Sequence, residues 1–254
     1  MNSASVVVSG LSCGYGAGPV IHDIDLSVGA GEVVALIGPN GSGKSTLMKA
    51  IAGALRPIKG SVTLDGQDLS TLNQKEIARR LAYVPQIESP AFDFTVQEVV
   101  LMGRIPHTDG MFETQNDYEC AEKAMQRADC YSLRERRMSE LSGGEAQRAK
   151  VARALAQEAG VMLMDEPTTH LDVKHQMEIG DIAKGLAEEG YAVVVAVHEL
   201  NWAAMYASRV VVLVEGRVAL SGETEQTLES PVLDRAFEVE FVRTRDAGLR
   251  LFPK

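Results

Sequence analysis

The sequence predicts an α/β fold whose mainly parallel sheet is covered by helices on both faces. Three observations lead to this prediction. Short apolar runs rich in β-branched residues recur along the chain, helix-forming segments separate them, and one run ends in a glycine-rich turn before a helix. Apolar strands that alternate with helices are typical of a mainly parallel sheet, because helices bury both of its faces.

The N-terminal part of the chain carries the first of these runs. "SVVVSGL" and "IHDIDLSV" alternate roughly between apolar and polar residues, whereas "EVVALIG" is continuously apolar and ends in glycine. Alternation predicts half-buried strands, and a continuous apolar run predicts a strand inside a sheet. "SVTLDGQDL", from Ser61 to Leu69, predicts a further strand with a turn at Asp65-Gly66.

Helix-forming residues dominate from about Thr95 to Glu158. Thr95 and Glu98 have the spacing of a capping box, which marks the start of a helix. In "GEAQRAKVARALAQEA", small apolar residues recur along one helix face, as Ala149 and Ala152 illustrate. The segment is therefore predicted to be mostly helical.

Buried strands return in "VMLMDEP", "YAVVVAVH" and "RVVVLVEGRVALSGE". Helices are predicted between them at about 176–189 and 201–207, and Glu215-Gly216-Arg217 is predicted to form a tight turn. Beyond Gly222 the sequence predicts short helices and a final strand pair, to which it assigns no role.

Composition excludes several classes of protein. The 254 residues are 45% hydrophobic and 24% charged, which is ordinary for a soluble globular protein. The longest apolar runs fall far short of the ~20 residues that span a bilayer, and "MNSASVVVSG" does not resemble a secretory signal. With a net charge of −10 and no dense basic run, we expect a cytoplasmic protein with no affinity for nucleic acid. The acidic surface would suit a basic partner, such as the cytoplasmic loops of a membrane protein.

"GPNGSGKST" matches the phosphate-loop pattern G-x-x-x-x-G-K-[ST], and it lies between an apolar strand and a helix, as that motif requires. Glycines let backbone N–H groups surround phosphate oxygens, and the following helix adds a favourable dipole. Lys44 would neutralise phosphate charge and Ser45 would bind Mg²⁺. The alternative is a glycine-rich turn that binds nothing. The predicted ATP contacts in this loop are Gly38, Pro39, Asn40, Gly41, Ser42, Gly43, Lys44, Ser45 and Thr46.

Two further strands end in residues suited to phosphate chemistry. Asp165 and Glu166 follow "VMLM", where the first could hold a metal ion and the second could orient or deprotonate a water molecule. Taken alone, this acidic pair could equally be a helix cap or a solvated turn. His198 follows "VVVAV" and could hydrogen-bond a phosphate or its attacking water, although a histidine at a strand end is often structural.

These segments together resemble an ABC-type ATPase cassette. "GPNGSGKST", "YVPQ", "LSGGEAQRAKVARALAQ", "MDEPTTHLD" and "VVVAVHEL" occur in the family's order, and the match extends over about residues 6–222. The resemblance implies a single domain with a P-loop NTPase core, an N-terminal antiparallel β region and an inserted helical subdomain. Its parts would be a core of 1–86 and 160–222, a helical subdomain of 87–159 and a C-terminal extension of 223–254.

The resemblance also implies residue roles, with ATP and Mg²⁺ as cofactors. Tyr15 resembles the aromatic residue that stacks on adenine, and Gln86 resembles the glutamine that contacts Mg²⁺ and the attacking water. Tyr15 could also be a plain loop aromatic, and Gln86 an exposed loop residue. The implied Mg²⁺ ligands are Ser45, Gln86 and Asp165. The implied catalytic residues are Glu166, His198 and Lys44.

"ELSGGEAQ" resembles the family signature, which binds the ATP held by a second copy of the chain. The implied contacts in trans are Leu141, Ser142, Gly143, Gly144, Glu145 and Asp172. We call residues 141–145 the signature segment. Ser142 and Glu145 also have capping-box spacing, so the segment could simply begin a helix; both interpretations can hold, because a helix N-terminus is itself an anion site.

A finer resemblance concerns "FDFTVQEVVLMGRIPH" and "DEPTTHLDVKHQ", which look like ATPase subunits of bacterial importers for iron–siderophore complexes, haem and cobalamin. It implies a head-to-tail homodimer on the cytoplasmic face of the membrane, bound to two transmembrane permease subunits. A periplasmic or surface substrate-binding protein would be an indirect partner. Arg104 is expected near the permease, and His107, His170 and His175 are expected to be solvated side chains. The alternative function is a soluble ABC ATPase that acts in assembly, for example of iron–sulfur clusters.

Overall fold

The computed structural model describes residues 6–16, 18–86, 92–108, 110, 112–169, 171–245 and 248–254. Strands and helices alternate over most of these ranges, as the sequence predicts. The strands are β1 (Val6–Tyr15), β2 (Gly18–Val28), β3 (Val33–Ile37), β4 (Lys59–Leu64), β5 (Gln67–Asp68), β6 (Leu81–Val84), β7 (Val161–Asp165), β8 (Ala192–Ala196), β9 (Arg209–Val214), β10 (Arg217–Glu223), β11 (Phe241–Thr244) and β12 (Arg250–Pro253). The helices are α1 (Lys44–Ile51), α2 (Gln74–Ala78), α3 (Val96–Leu101), α4 (Gln115–Arg127), α5 (Gly143–Ala156), α6 (Val173–Glu188), α7 (Leu200–Tyr206), α8 (Thr224–Glu229) and α9 (Pro231–Phe237).

The central sheet has six strands in the order β10-β9-β3-β8-β7-β6. Every neighbouring pair is parallel except β9 and β10, which form a hairpin. The prediction of a mainly parallel sheet is therefore confirmed. Strands β3, β7 and β8 are buried at every residue, which explains why they read as unbroken apolar runs.

A second, antiparallel sheet in the order β2-β1-β4-β5 lies at the N-terminal end of the fold. The predicted turn between β4 and β5 is confirmed: Asp65 and Gly66 both have positive φ, at 50° and 77°. Such φ values match the tight turns that join antiparallel strands. Apolar side chains of this sheet, of α1 and of one face of the central sheet form one core, which includes Ile21, Leu36 and Leu47.

The opposite face of the central sheet packs against α6, α7 and the C-terminal elements. This second core includes Met162, Val195, Leu186 and Trp202, all at most 5% exposed. Helices therefore cover both faces, as predicted. The expected short helices and final strand pair beyond Gly222 are also present, as α8, α9 and the hairpin of β11 and β12.

Helices α3, α4 and α5 enclose a third core of their own. Its members are Val96, Val100, Leu101, Ala121, Ala124, Met125, Ala128, Cys130, Ala149, Ala152 and Ala156. The capping box at Thr95 and Glu98 is confirmed, since Glu98 N donates to Thr95 Oγ1 and Thr95 N donates to Glu98 Oε2. No helix within the described ranges is both long and apolar enough to cross a membrane.

Arg104 corrects one expectation from the sequence. It was expected near a partner, but it is only 3% exposed and lies inside the helical part of the fold. Its Nε donates to Asp117 at 3.1 Å, and its Nη1 donates to Glu158 and to the carbonyl of Ala156, each at 2.6 Å. Arg104, in the turn that follows α3, therefore ties this turn to α4, to the end of α5 and to the segment between α5 and β7. The partners of Arg104 are far from it in the sequence, so no local sequence pattern indicated these contacts.

We predict that Arg104→Ala lowers the free energy of unfolding by about 3 kcal/mol, because it strips the buried Asp117 of its cation. Urea denaturation of the purified protein measures this loss. Arg134→Ala is the control, since Arg134 bonds its exposed neighbour Glu135 and lies over the ring of Tyr131 without neutralising a buried charge, and it should shift the denaturation midpoint far less. Equal effects of the two substitutions would contradict the structural role of the Arg104 cluster.

Candidate active site

Parallel pairing brings the candidate residues to one edge of the central sheet. Strands β3, β8, β7 and β6 are adjacent and parallel, so their C-terminal ends lie side by side. Gly38 follows β3, His198 lies two residues beyond β8, Asp165 ends β7 and Gln86 lies two residues beyond β6. Clefts at this edge of an open parallel sheet are the usual place for ligands.

The phosphate loop, residues 38–46, curls from β3 into α1. Gly43 has φ of 103°, and a Cβ there would lie 2.6 Å from Cγ2 of Ile21, so only glycine suits this position. Lys44 is 4% exposed, and its Nζ donates to the carbonyls of Gly38 at 2.8 Å and Pro39 at 3.3 Å. Burial lowers the pKa of Lys44, while the nearby carboxylates of Glu166 and Asp165 oppose that shift.

A cavity of ≈160 Å³ lies against this loop. Its lining consists of Val20, Asn40, Gly41, Ser42, Gly43, Lys44, Ser45, Thr46 and Glu166. The hydroxyl of Ser42 is buried and has no hydrogen-bond partner within the described structure. Because buried hydroxyls are normally paired, this oxygen is suited to a ligand that supplies a polar atom. The lining therefore brings the predicted loop residues and Glu166 to one cavity.

Asp165 ends β7 beside the loop and is 1% exposed. Its Oδ1 accepts a hydrogen bond from the hydroxyl of Ser45, and its Oδ2 accepts one from the hydroxyl of Tyr83, both at 3.1 Å. Burial raises the pKa of Asp165, whereas these two hydrogen bonds act in the opposite direction. Ser45 and Asp165, which come from opposite halves of the chain, are thus in direct contact.

Glu166 is held by three side chains. His198 Nε2 lies 2.6 Å from Oε1 of Glu166, while Oε2 accepts hydrogen bonds from Gln86 and, at 3.4 Å, from Thr169. The backbone of Glu166 has φ of 51°, a left-handed conformation that is unfavourable for a residue with a Cβ. Strained backbone of this kind tends to occur at functional sites. The structure therefore brings together Glu166, His198 and Gln86, while their catalytic and metal-binding roles stay predictions.

Tyr15 ends β1 and is 49% exposed, so it is not part of the core. The Nζ of Lys49, on α1, lies 5.9 Å from the centroid of its ring. Tyr15 thus lies beside the helix that follows the phosphate loop, with a ring accessible for stacking. Its role toward adenine stays a prediction.

The signature segment begins α5 with a complete capping box. Glu145 N donates to Ser142 Oγ at 3.3 Å, and Ser142 N donates to Glu145 Oε2 at 2.8 Å, which confirms that the segment begins a helix. Ser142 and Gly143 are exposed, and a Cβ at Gly143 would meet no atom within 4 Å. Leu141 packs against the third core. Within the described residues, none of the hydrogen bonds of Ser142 or Glu145 reaches the chain's own phosphate loop.

Asp172 precedes α6 and accepts from the backbone N–H of His175 at 2.9 Å, which lowers the pKa of its carboxyl. Two histidines were wrongly expected to be solvated. His175 is 23% exposed at its side chain and bonds Asp172, while His107 Nε2 lies 2.8 Å from the carbonyl of Gln157. His170 lies outside the described residues.

Sequence patterns missed several contacts at the site. Tyr83 was known only as part of "YVPQ", and nothing local indicated that its hydroxyl reaches Asp165. Thr168 is 1% exposed and donates at 3.0 Å to Glu199, the residue after His198. Glu199 precedes α7, but its side chain does not cap that helix and instead bonds Thr168. Only the spatial neighbourhood reveals these roles.

Comparison with known proteins identifies the family. The family model described as "ABC transporter" matches residues 21–169, more than half of the chain. The hemin import ATP-binding protein HmuV of Nocardia farcinica is 44% identical over 226 residues, which cover 88% of this chain and 78% of HmuV. The probable siderophore transport system ATP-binding protein YusV of Bacillus subtilis is 36% identical over 97% of this chain and 90% of YusV.

Three further comparisons concern length and fold. The cobalamin import ATP-binding protein BtuD of Halobacterium salinarum is 41% identical over 91% of this chain, but the match spans only 58% of BtuD. An inward-facing ABC transporter, described as of the metal-chelate type, contains a similar chain with a TM-score of 0.86 and 28% identity, over 100% of this chain and 98% of that one. A dimeric bacterial ABC transporter cassette has a TM-score of 0.77 and 28% identity, over 86% and 98% of the two chains. The chain therefore belongs to the ABC transporter family, and its fold is that of the family's ATP-binding cassette.

Proposed function

We propose that this protein hydrolyses ATP to energise a membrane importer whose cargo is an iron chelate, such as a siderophore complex or haem, or cobalamin. The carboxylate of Glu166 beside the phosphate-loop cavity, held by His198 and Gln86, is the observation that carries the ATPase proposal. The cargo class follows from the names of the relatives, which are hemin, siderophore and cobalamin import proteins.

The phosphate loop would hold the ATP phosphates through its backbone N–H groups and the N-terminus of α1. Lys44 already lies at the cavity, where its ammonium can exchange the carbonyls of Gly38 and Pro39 for phosphate oxygens. The unpaired hydroxyl of Ser42 offers one more contact. Tyr15 would stack on the adenine, since its ring is exposed beside α1.

Ser45, Asp165 and Gln86 would hold Mg²⁺. The donor set fits this ion, because a hydroxyl, a carboxylate and an amide oxygen are hard ligands, and Ser45 already contacts Asp165 at 3.1 Å. Bound Mg²⁺ would neutralise charge on the phosphate oxygens. Mg²⁺ usually takes few protein ligands beside water and phosphate oxygens, so no larger acidic cluster is needed.

Glu166 would position the water that attacks the γ-phosphate and accept its proton. His198 contacts Oε1 of Glu166 and holds that side of the carboxylate. Oε2, which bonds Gln86 and Thr169 in this structure, would be the oxygen that binds water. His198 and Lys44 would stabilise the charge that develops on the phosphate.

A second copy of the chain would complete each site. The signature segment and Asp172 would contact the ATP bound by the other copy, in a head-to-tail homodimer. Support comes from the exposed Ser142 and Gly143 at the start of α5, a helix N-terminus that suits an anion. The dimeric form of the similar cassette supports the pairing of two copies.

The protein would act at the cytoplasmic face of the membrane, bound to two transmembrane permease subunits and, through them, to a periplasmic or surface substrate-binding protein. Phe92 and Ile105 are 71% and 65% exposed, in or beside the proposed helical subdomain of residues 87–159. These apolar side chains suit contact with a permease. The alternative of a soluble assembly ATPase finds no support in the names of these relatives, which are all import proteins.

We predict that Glu166→Gln reduces ATP turnover by about 10²–10⁴-fold, because an amide cannot accept the proton of the attacking water. Phosphate release measures turnover, and a fluorescent ATP analogue should bind with unchanged affinity. The control is Glu188→Gln at the exposed end of α6, which should hydrolyse ATP normally. Hydrolysis by Glu166→Gln at the normal rate would refute the assignment.

We predict that Ser142→Arg blocks the ATP-bound dimer without preventing ATP binding by the monomer, since its bulk and positive charge occupy the proposed contact in trans. Analytical ultracentrifugation with ATP measures dimer formation. Ser142→Ala is the matched control for the cap, with an expected stability cost of about 1 kcal/mol. Unimpaired dimerisation of Ser142→Arg would exclude the signature segment from the interface.

We predict that the protein copurifies from detergent-solubilised membranes with an integral membrane subunit at equal stoichiometry. Mass spectrometry of the purified complex identifies that subunit and, through it, the transport system. A complex that contains only soluble proteins would favour the assembly alternative.

A further inference from the structure

His175 contacts both segments that the proposed function assigns to the second copy's ATP. Its Nδ1 lies 2.7 Å from Oδ1 of Asp172, and a carboxylate only accepts hydrogen bonds, so Nδ1 carries the proton. The same ring packs against Gly144 of the signature segment. A Cβ on Gly144 would lie 3.0 Å from Cγ and 3.1 Å from both Cδ2 and Nδ1 of His175.

The close approach at Gly144 constrains the residue at this position. Gly144 is buried although it lies in the first turn of α5, and the His175 ring occupies the space where a side chain would begin. Contacts of 3.0–3.1 Å are tighter than ordinary van der Waals packing, so alanine would push the ring away. A Cβ at position 144 would therefore displace the chain's own His175 ring by a few tenths of an ångström, apart from any contact with a nucleotide.

A second contact lies one turn further along both helices. Arg148, four residues after Gly144 on α5, donates at 3.2 Å to Glu178, three residues after His175 on α6. Residues at these spacings share a helix face, so the two contacts form one line. The contact between the two helices thus involves Gly144 and Arg148 on α5 and His175 and Glu178 on α6.

We propose that His175 is a positioning residue that makes the signature segment and Asp172 move as one unit against the second copy's ATP. This inference rests on the proposed function, which assigns both segments to that ATP. Each segment lies at the start of a helix, α5 or α6, and His175 connects the two starts. A contact between one segment and the nucleotide would then also set the position of the other segment.

The helix cap of α6 does not explain this arrangement. Asp172 caps α6 through the backbone N–H of His175, a contact that any residue except proline would supply at position 175. The imidazole adds the bond from Nδ1 and the packing on Gly144. Substitutions of the side chain therefore preserve the cap donor and remove only the link between the segments.

Three variants separate the two contacts. His175→Phe retains a ring against Gly144 but loses the donor, His175→Asn retains a donor near the position of Nδ1 but loses the ring, and His175→Ala loses both. Lys184→Ala, at an exposed position further along α6, is the matched control. Each is made in the Glu166→Gln background, and ATP affinity of the monomer and ATP-driven dimerisation are measured separately.

We expect His175→Ala to weaken ATP-driven dimerisation by about tenfold while ATP affinity of the monomer is unchanged. The Phe and Asn variants should fall between His175→Ala and the background protein, and Lys184→Ala should match the background. A general folding defect would instead lower ATP affinity and dimerisation together. Dimerisation of His175→Ala equal to that of Lys184→Ala overturns the inference.

A double-mutant cycle in the nucleotide-free monomer tests the contact itself. The change in Tm caused by Gly144→Ala should be more unfavourable in the presence of His175 than in the His175→Ala variant, because the obstructing ring is then gone. Additive shifts would contradict the contact. Failure of the Glu166→Gln background to bind ATP or to dimerise would instead refute the proposed function, so the two failures are distinguishable.

Discussion

The parallel pairing of β3, β8, β7 and β6 is the constraint on which the site depends. Parallel neighbours end at the same edge of a sheet, so Gly38, His198, Glu166 and Gln86 meet although they are far apart in the sequence. Antiparallel pairing would have sent some of these residues to the opposite edge. The two cores on either face of the sheet hold these strands in place, and burial of apolar side chains thereby fixes the geometry of polar ones.

The buried charged groups of the site form hydrogen bonds with protein groups that a ligand could replace. Burial raises the pKa of Asp165 and lowers that of Lys44, so each charged form is costly unless other groups support it. Ser45 and Tyr83 donate to Asp165, and Lys44 binds two loop carbonyls. Phosphate and metal would thus replace existing partners of groups that are already desolvated and oriented. Preorganisation of this kind is the main source of electrostatic stabilisation in active sites.

Much of the fold could be predicted from the sequence because the buried strands are unbroken β-branched runs and the caps follow local spacing rules. The four-residue β6 gave too short a signal to be predicted as a strand. Tyr83, Arg104 and His175 were missed or misplaced for another reason. Their partners lie on other elements, or are backbone atoms brought close by packing, and local patterns do not report such contacts. The phosphate loop, Asp165, Glu166 and His198 were singled out by motif spacing and by their place after apolar runs. The roles given to Tyr15, Gln86 and the signature segment rested on the family pattern.

A site formed by two copies requires each chain to hold its contributing segments in a fixed relative position without a ligand of its own. In the proposed shared site the signature segment and Asp172 would both meet the ATP of the other copy, so contacts inside the chain would have to set their relative position. Helices α5 and α6 have 14 and 16 residues and behave as stiff rods, but each alone fixes only its own end. A contact between their first turns fixes the ends relative to each other, and the Arg148–Glu178 pair one turn later limits rotation about that contact. Under the proposed function, these two adjacent contacts would hold the two helix starts together as one binding surface.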